Sequence, residues 1–300
     1  MSPVKAKNAV GIIGLGIMGG AFAGNLVKAG WKVVGYDIDP VRCRELAKAG
    51  VVIAKDAAAL AATVPTIITS LPKPQALNAT AKAIAAAGVP RRVVVEASTF
   101  TIADKQKAWR VLGAAGHVLL DCPISGTGSQ AATGDLVIYA SGDRNAIAAL
   151  RPMFAGFSRK TYDVGDFGNG SKMKYVANLL VAIHNVATAE AMVLGLKAGL
   201  DPQAIFDMIS NGAGNSRVFE LRAPMMVKND YVKATMKCSV WQKDMDVIGA
   251  YARKMKVPTP LFDATLPVYA AALKQGYADD DTAAVCAVLE KRAKVKRKRR

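Results

Sequence analysis

Two short stretches of this chain combine residue types and spacings that suit chemistry. The first is Gly14-Leu15-Gly16-Ile17-Met18-Gly19, which follows the apolar run Ala9–Ile13 and opens an alanine-rich helical pattern. In a Gly-x-Gly-x-x-Gly run the first glycine permits a tight strand-to-helix turn and the second lets a pyrophosphate approach the backbone. The third lets the helix pack closely on the strand. The helix N-terminus adds unpaired N–H groups and the positive end of a dipole. Asp37 closes the next apolar run, residues 31–36. A carboxylate there accepts hydrogen bonds from the adenosine ribose hydroxyls and repels a 2′-phosphate. Gly14 to Gly19 with Asp37 therefore form a candidate dinucleotide site that favours NAD. Arg42 is close enough in sequence to tolerate a phosphate, so NADP stays open. The bland alternative is a glycine-rich turn without a ligand, against which the strand, helix and acid all count.

The second stretch is Gly168-Asn169-Gly170 followed by Lys174 and Asn178. A spacing of four puts the lysine and the amide on one face of a helix, and Asn185 falls near the same azimuth. Polar groups on an otherwise apolar helix are costly to bury without partners. The pattern fits either a solvated polar stripe or a reactive face. Hydride transfer from an alcohol needs a group to take the hydroxyl proton. With no well-placed histidine, Lys174 is the economical candidate, provided that desolvation or nearby charge lowers its pKa.

Elements must hold these residues, and the first half of the chain supplies them by alternation. Expected strands are Ala9–Ile13, Lys32–Tyr36, Thr66–Thr69, 92–96 and 117–121; expected helices are 18–29, 40–49, 74–86 and Ile102–Ala114. Strands at 135–140 and 160–164 flank a helix at 145–153. Such alternation builds a doubly wound, mostly parallel sheet that binds ligands at the carboxyl ends of its strands. After Gly165 the pattern changes to long helices rich in alanine, leucine, valine and methionine. The expected fold is thus α/β: an N-terminal Rossmann-type sheet domain at 1–166, an all-α domain at 167–290, and a basic tail at 291–300.

Composition narrows the function. The chain has 300 residues and a formal net charge of +17, eight units of which fall in the tail. A run of like charges predicts a disordered, solvated tail; the alternative is contact with nucleic acid or an anionic surface, without base stacking because no aromatics are interleaved. Four scattered cysteines with no C-x-x-C pair, and only two histidines, argue against a disulfide scaffold or a metal site. His117 and His184 read as structural. No signal peptide is apparent at Met1-Ser2-Pro3, and the apolar stretch from Tyr175 is broken by Asn178, His184, Asn185, Glu190 and Lys197. A soluble, cytoplasmic protein without membrane contact is expected.

Further motifs stand at ordered positions: Leu71-Pro72, Ser98-Thr99, Asp121-Cys122-Pro123-Ile124-Ser125-Gly126 and Lys243-Asp244. With the glycine loop and the Lys174–Asn178 motif, the chain from Gly11 to Pro258 resembles the β-hydroxyacid dehydrogenase family. That family includes 3-hydroxyisobutyrate dehydrogenase, tartronate semialdehyde reductase and relatives of 6-phosphogluconate dehydrogenase. The resemblance implies an NAD(P)-dependent dehydrogenase of a small 3-hydroxy acid, akin to 3-hydroxyisobutyrate. Lys174 would be the general acid/base, and Asn178 would orient the substrate or the lysine. Ser125 and the Gly126 backbone would hold the substrate carboxylate beside Thr127. Leu71, Pro72 and Thr99 would line the cofactor, and Lys243, steadied by Asp244, would close over cofactor and substrate. Thr127, Gln130, Ala177 and Met236 depart from the family's usual glycine, glycine, asparagine and phenylalanine. The first two add side chains beside the carboxylate loop. Exposed apolar helices imply a homodimer or homotetramer. Rival readings are an imine reductase on the same scaffold, against which Lys174 counts, and a non-catalytic cofactor-binding scaffold using the basic tail.

Overall fold

Short, near-continuous apolar runs build the first sheet. The computed structural model describes residues 8–297; the N-terminal stretch read for targeting signals and the last three tail residues lie outside them. The chain divides into two compact units, Met1–Lys174 and Tyr175–Arg300.

In the first unit the order is β1 (Ala9–Ile13), α1 (Ile17–Lys28), β2 (Lys32–Tyr36), α2 (Pro40–Lys48), β3 (Val52–Ile53) and α3 (Ala57–Thr63). Next come β4 (Thr66–Thr69), α4 (Pro74–Ala85), β5 (Val93–Glu96), α5 (Ile102–Ala114) and β6 (Val118–Asp121). All six strands are parallel, in the order β3-β2-β1-β4-β5-β6. The order reverses between β1 and β4, which places the ligand crevice beyond their carboxyl ends. Val10, Ile12, Ile68, Val95 and Leu120 face one layer of helices with Phe22, Leu26, Phe154 and Phe157. Their strand neighbours Ala9, Ile13, Ile67, Val94 and Leu119 face the other, with Leu60, Leu77, Ile84 and Leu112. Both faces of the sheet are therefore dry, as parallel sheets require.

The short β3 and α3 were not among the expected elements: β3 is only two residues long, and α3 is mainly alanine, which carries little periodic contrast. A separate three-stranded sheet follows, built from β7 (Ile124–Ser125), β8 (Val137–Ala140) and β9 (Lys160–Asp163), with α6 (Gly128–Ala132) and α7 (Arg144–Ala155) between them. The strands expected at 135–140 and 160–164 thus pair with each other rather than extending the main sheet.

Beyond them α8 (Asn169–Lys197) carries the chain into the second unit. By length and composition α8 is long and apolar enough to cross a membrane, with 44% of the most apolar window buried in the protein. Ser171, Lys174, Asn178, Asn185 and Thr188 are all buried along it. The second unit continues with α9 (Pro202–Ser210), α10 (Arg217–Lys228), α11 (Cys238–Lys254), α12 (Pro260–Lys274) and α13 (Val285–Arg292), plus a 3-10 turn at Thr282–Ala284. Side-chain caps start α9 at Asp201 and α10 at Ser216, and Pro202 and Pro260 occupy first turns. Asn229, in the left-handed region at φ 52°, ends α10. Arg222 and Asp281 form a buried ion pair at 2.8 Å.

The basic tail is described as far as residue 297. Lys291 and Arg292 complete α13, and Arg297 pairs with Glu290 and donates to the Val227 carbonyl at 3.0 Å. Counting the like charges alone overlooked Glu290, a carboxylate just upstream that gives Arg297 a partner. Lys298, Arg299 and Arg300 lie outside the described residues.

Candidate functional site

The turn after β1 is held by its backbone. Gly14, at φ +90°, donates its N–H to the Tyr36 carbonyl at 2.9 Å. A Cβ there would run into the Ser70 carbonyl, and a Cβ on Gly19 into the carbonyl of Gly14. Those two glycines are demanded by the protein's own packing. Gly16 is different. It caps α1 with φ −65° and ψ −162°, a conformation open to any residue, and a Cβ there would meet no protein atom within 4 Å. The space beside Gly16 is a cradle that a methyl would fill, which fits a pyrophosphate lying against the backbone. Leu15 is buried, whereas Ile17 is 56% exposed and Met18 half-buried at the mouth of the turn.

Asp37 lies at the end of β2. Its two carboxylate oxygens accept from Leu15 N–H at 2.6 Å and Asp39 N–H at 2.8 Å. The acid thus ties the glycine turn to the neighbouring strand. Arg42 lies 3.9 Å from both Asp39 and Glu45, so its charge is directed at carboxylates.

Leu71 and Pro72 follow β4, and Ser98 and Thr99 follow β5. The Leu71 N–H donates to the Ser98 hydroxyl at 2.8 Å, which joins the two expected cofactor loops. Ser98 N–H in turn donates to Glu96 at 2.9 Å. Glu96 and Asp121 close adjacent strands β5 and β6, both fully buried, and Lys105 of α5 reaches between them. Its ammonium lies 2.6 Å from Glu96 and 2.7 Å from Asp121. Burial alone would lower the pKa of this lysine, but the two carboxylates outweigh it and hold it above the ordinary lysine value.

Ser125 is half-buried on β7, and Gly126 follows at φ +140°, where a Cβ would strike the Leu136 side chain. Thr127 opens α6. Its N–H donates to Gln130 Oε1 at 3.1 Å, and its hydroxyl lies 2.9 Å from that of Ser129. Gln130 Nε2 donates to Asp135 at 3.1 Å, and Asp135 pairs with Arg159 at 2.7 Å. The two departures from the glycine pattern are therefore built into one hydrogen-bonded loop.

The first turn of α8 lies against the strand ends. A Cβ on Gly170 would collide with the Asp121 and Tyr139 carbonyls. Asp121 accepts from Ser171 N–H at 2.8 Å and Ser171 Oγ at 2.9 Å, placing a carboxylate at the positive end of the helix. Lys174, 7% exposed, comes one helical turn after Gly170. Asn178, within the second unit, donates to Asp244 Oδ2 at 2.9 Å, and Lys243 Nζ lies 3.5 Å from Asp244 Oδ1. Asn178, Lys243 and Asp244 are thus brought together from α8 and α11, although 66 residues separate the amide from the acid. Asn185 does not join them. Its amide donates to Tyr269 Oη and the Thr282 carbonyl, which is structural work inside the second unit. His117 Nδ1 accepts from Arg92 N–H at 3.1 Å, likewise within the scaffold. Among the described residues no cluster of three or more metal-binding side chains is found.

The sequence reading missed Lys105, Glu96 and the placement of Asp121. The available signal was an acid ending each of two buried strands, which calls for a buried cation between them.

Comparison with known proteins gives the chain's relatives. Residues 9–165 match the NAD binding domain of 6-phosphogluconate dehydrogenase, and residues 168–289 match the NAD-binding domain of NADP-dependent 3-hydroxyisobutyrate dehydrogenase. The L-threonate dehydrogenase of Cupriavidus necator is 34% identical over 280 residues, covering 92% of this chain and 94% of that protein. The mitochondrial 3-hydroxyisobutyrate dehydrogenase of Rattus norvegicus is 28% identical over 293 residues, covering 94% and 87%. The crystal structure of a 3-hydroxyisobutyrate dehydrogenase from Salmonella typhimurium superposes with a TM-score of 0.85 at 30% identity, covering 94% of this chain and 99% of that one.

Proposed function

Because the chain belongs to the β-hydroxyacid dehydrogenase family, NAD(P)-dependent oxidoreductases acting on CH–OH groups, we propose that it interconverts a small 3-hydroxy acid and its oxo acid, with Lys174 as general acid/base. One observation carries the assignment of the lysine. It is buried on a helix whose first turn is fastened to the strand end by Asp121 and Ser171, just past the dinucleotide cradle's own sheet.

The dinucleotide, when bound, accepts or supplies the hydride. In oxidation neutral Lys174 takes the hydroxyl proton; in reduction its ammonium returns it. Ser125 Oγ and the Gly126 N–H hold the carboxylate, and Asn178 orients the reacting groups while Asp244 fixes its amide. Lys243, 35% exposed and steadied by Asp244, supplies a positive charge for the acid and the cofactor. NAD is the favoured dinucleotide, because Asp37 repels a 2′-phosphate and Arg42 is directed at Asp39 and Glu45.

A polyhydroxylated acid is the second reading within this class. The adjacent hydroxyls of Thr127 and Ser129 offer extra hydrogen-bonding groups beside Ser125, and the Cupriavidus necator relative is an L-threonate dehydrogenase. Four free cysteines, three of them buried, support a reducing, cytosolic setting. Exposed Met173, Val176, Leu180 and Leu194 along α8 support a homodimer or homotetramer, to be read by light scattering.

The test is NADH and NADPH formation on 3-hydroxyisobutyrate, D-glycerate and threonate, with Lys174→Ala alongside. Turnover that vanishes in the folded variant supports the assignment. Turnover retained in Lys174→Ala refutes the lysine's role, and silence across the panel with cofactor binding intact points to the scaffold reading.

A further inference from the structure

Lys105 lies outside every expected site, yet it is among the most completely buried large side chains of the protein. It sits in a network of three charges, Glu96, Lys105 and Asp121, whose side chains are all no more than 1% exposed. Such a network is expensive. Desolvating three charges costs several kcal/mol per ion, and apolar residues of the same volume often stabilise a core as well or better. Stability alone does not call for it, so its connections matter.

Those connections run in two directions. Through Glu96 Oε1 the network holds Ser98 N–H at 2.9 Å, and Ser98 Oγ holds Leu71 N–H at 2.8 Å, fixing the two expected cofactor loops. Through Asp121 it holds Ser171 N–H and Oγ at 2.8 and 2.9 Å. Asp121 also engages Ser141, whose hydroxyl accepts from Gly170 N–H at 3.0 Å, so the first turn of α8 is gripped at two successive residues. Among the described residues Lys105 is the side chain that touches both carboxylates. Without it the cofactor loops and the helix start would lose their side-chain link and be joined through the backbone pairing of β5 and β6, in which Glu96 stands beside Asp121.

We propose that Lys105 is a positioning residue that couples the cofactor loops at Leu71 and Ser98 to the first turn of α8, and so sets where Lys174 stands relative to the bound dinucleotide. The role of Lys174 in this statement rests on the function proposed above. Lys105 itself touches neither substrate nor cofactor in this scheme. It transmits position through two carboxylates, in an interior stiff enough to do so. The three side chains carry a net charge of one negative unit, with every carboxylate oxygen facing a donor or a cation, so the bridge has one preferred geometry.

Lys105→Met alone would leave two buried carboxylates facing each other and is expected to fold poorly. The informative variant is Lys105→Met with Glu96→Gln. It keeps the network's net charge while removing the bridge, and the amide oxygen of the introduced glutamine can still accept from Ser98. Two readouts are taken on the full chain. In turnover, kcat is expected to fall about tenfold or more while KM stays within about threefold, because misplacement by about 1 Å costs rate up to a hundredfold. In peptide-level hydrogen exchange, NADH is expected to slow exchange in wild type both at the glycine turn and at residues 168–174. In the variant the slowing should persist at the turn and vanish at 168–174. Unchanged kcat and undiminished slowing at 168–174 would overturn the proposal, as would a lower melting temperature with no change in either readout. If wild type turns over no acid but the exchange coupling depends on Lys105, the hydroxy-acid reading fails and the coupling stands.

Discussion

Replacing Gly16 by alanine separates what the cofactor demands from what the fold demands. In the protein alone, a Cβ at Gly16 has nothing within 4 Å, and its backbone angles suit alanine. The stability terms nearly cancel. Glycine is a better N-cap than alanine by up to about 1 kcal/mol, and the stiffer unfolded chain returns about 0.4–1 kcal/mol. The melting temperature should therefore move by no more than about 4 °C. Binding is another matter. A phosphate oxygen within hydrogen-bond reach of the turn would meet the new methyl and be pushed out by up to about 1 Å, for a loss of about tenfold to a hundredfold in NADH affinity, or about 1.4–2.8 kcal/mol. NADH fluorescence titration measures the affinity, and a thermal melt measures the fold. Two glycines on the same helix serve as controls. Gly24→Ala, also in open space, should stabilise by about 0.5–1 kcal/mol without touching affinity. Gly19→Ala, blocked by the Gly14 carbonyl, should lose both. Wild-type affinity in Gly16→Ala would refute the cradle.

Further expectations concern the second unit and the thiols. Asp281→Ala strands buried Arg222 and removes the acceptor that holds Thr235 N–H, so urea unfolding should show a loss of about 3–5 kcal/mol. Burial, with nearby carboxylates, pushes the Cys238 and Cys286 thiols up to about 12. Their folded pKa exceeds the unfolded value near 9, so their contribution is complete below that pH. Above it stability falls by up to about 1.4 kcal/mol per pH unit per thiol until the folded value is reached. Melts from about pH 8 to 11 should show the decline, and a Cys238→Ala, Cys286→Ala variant should flatten it. An aromatic disulfide reagent should titrate one thiol, Cys43, in the native protein and four after denaturation.

The sequence spoke most clearly where chemistry and period coincide. β1 reads as a strand because alternate residues enter opposite cores, and Gly14 to Gly19 reads as a turn because only glycine fits twice against backbone. The long α8 was legible from its apolar length, and the placement of Lys174 and Asn178 four apart on one face follows from helical pitch. What local pattern could not show was pairing across the chain. Lys105 looked like one more polar residue on a helix, since its partners lie nine residues before it at Glu96 and sixteen after it at Asp121. Gln130 read as a departure from a glycine, whereas it bonds to Thr127 and Asp135 within its loop. The tail was read by its own charges, and the acid that engages Arg297 stood outside the window.

On the proposed reading of the site, Asp37 would tie cofactor choice to loop architecture. Because its carboxylate accepts from Leu15 and Asp39, a change meant to admit a 2′-phosphate also removes the acceptor that shapes the pyrophosphate turn. Selection for the other dinucleotide cannot act on this position alone: asparagine or serine would preserve an acceptor, whereas alanine or glycine would loosen the turn they were meant to retune. The adenosine end of this site is therefore open to drift only along a narrow set of residues, and any lineage that changes its coenzyme should carry compensating substitutions near Leu15 or Asp39.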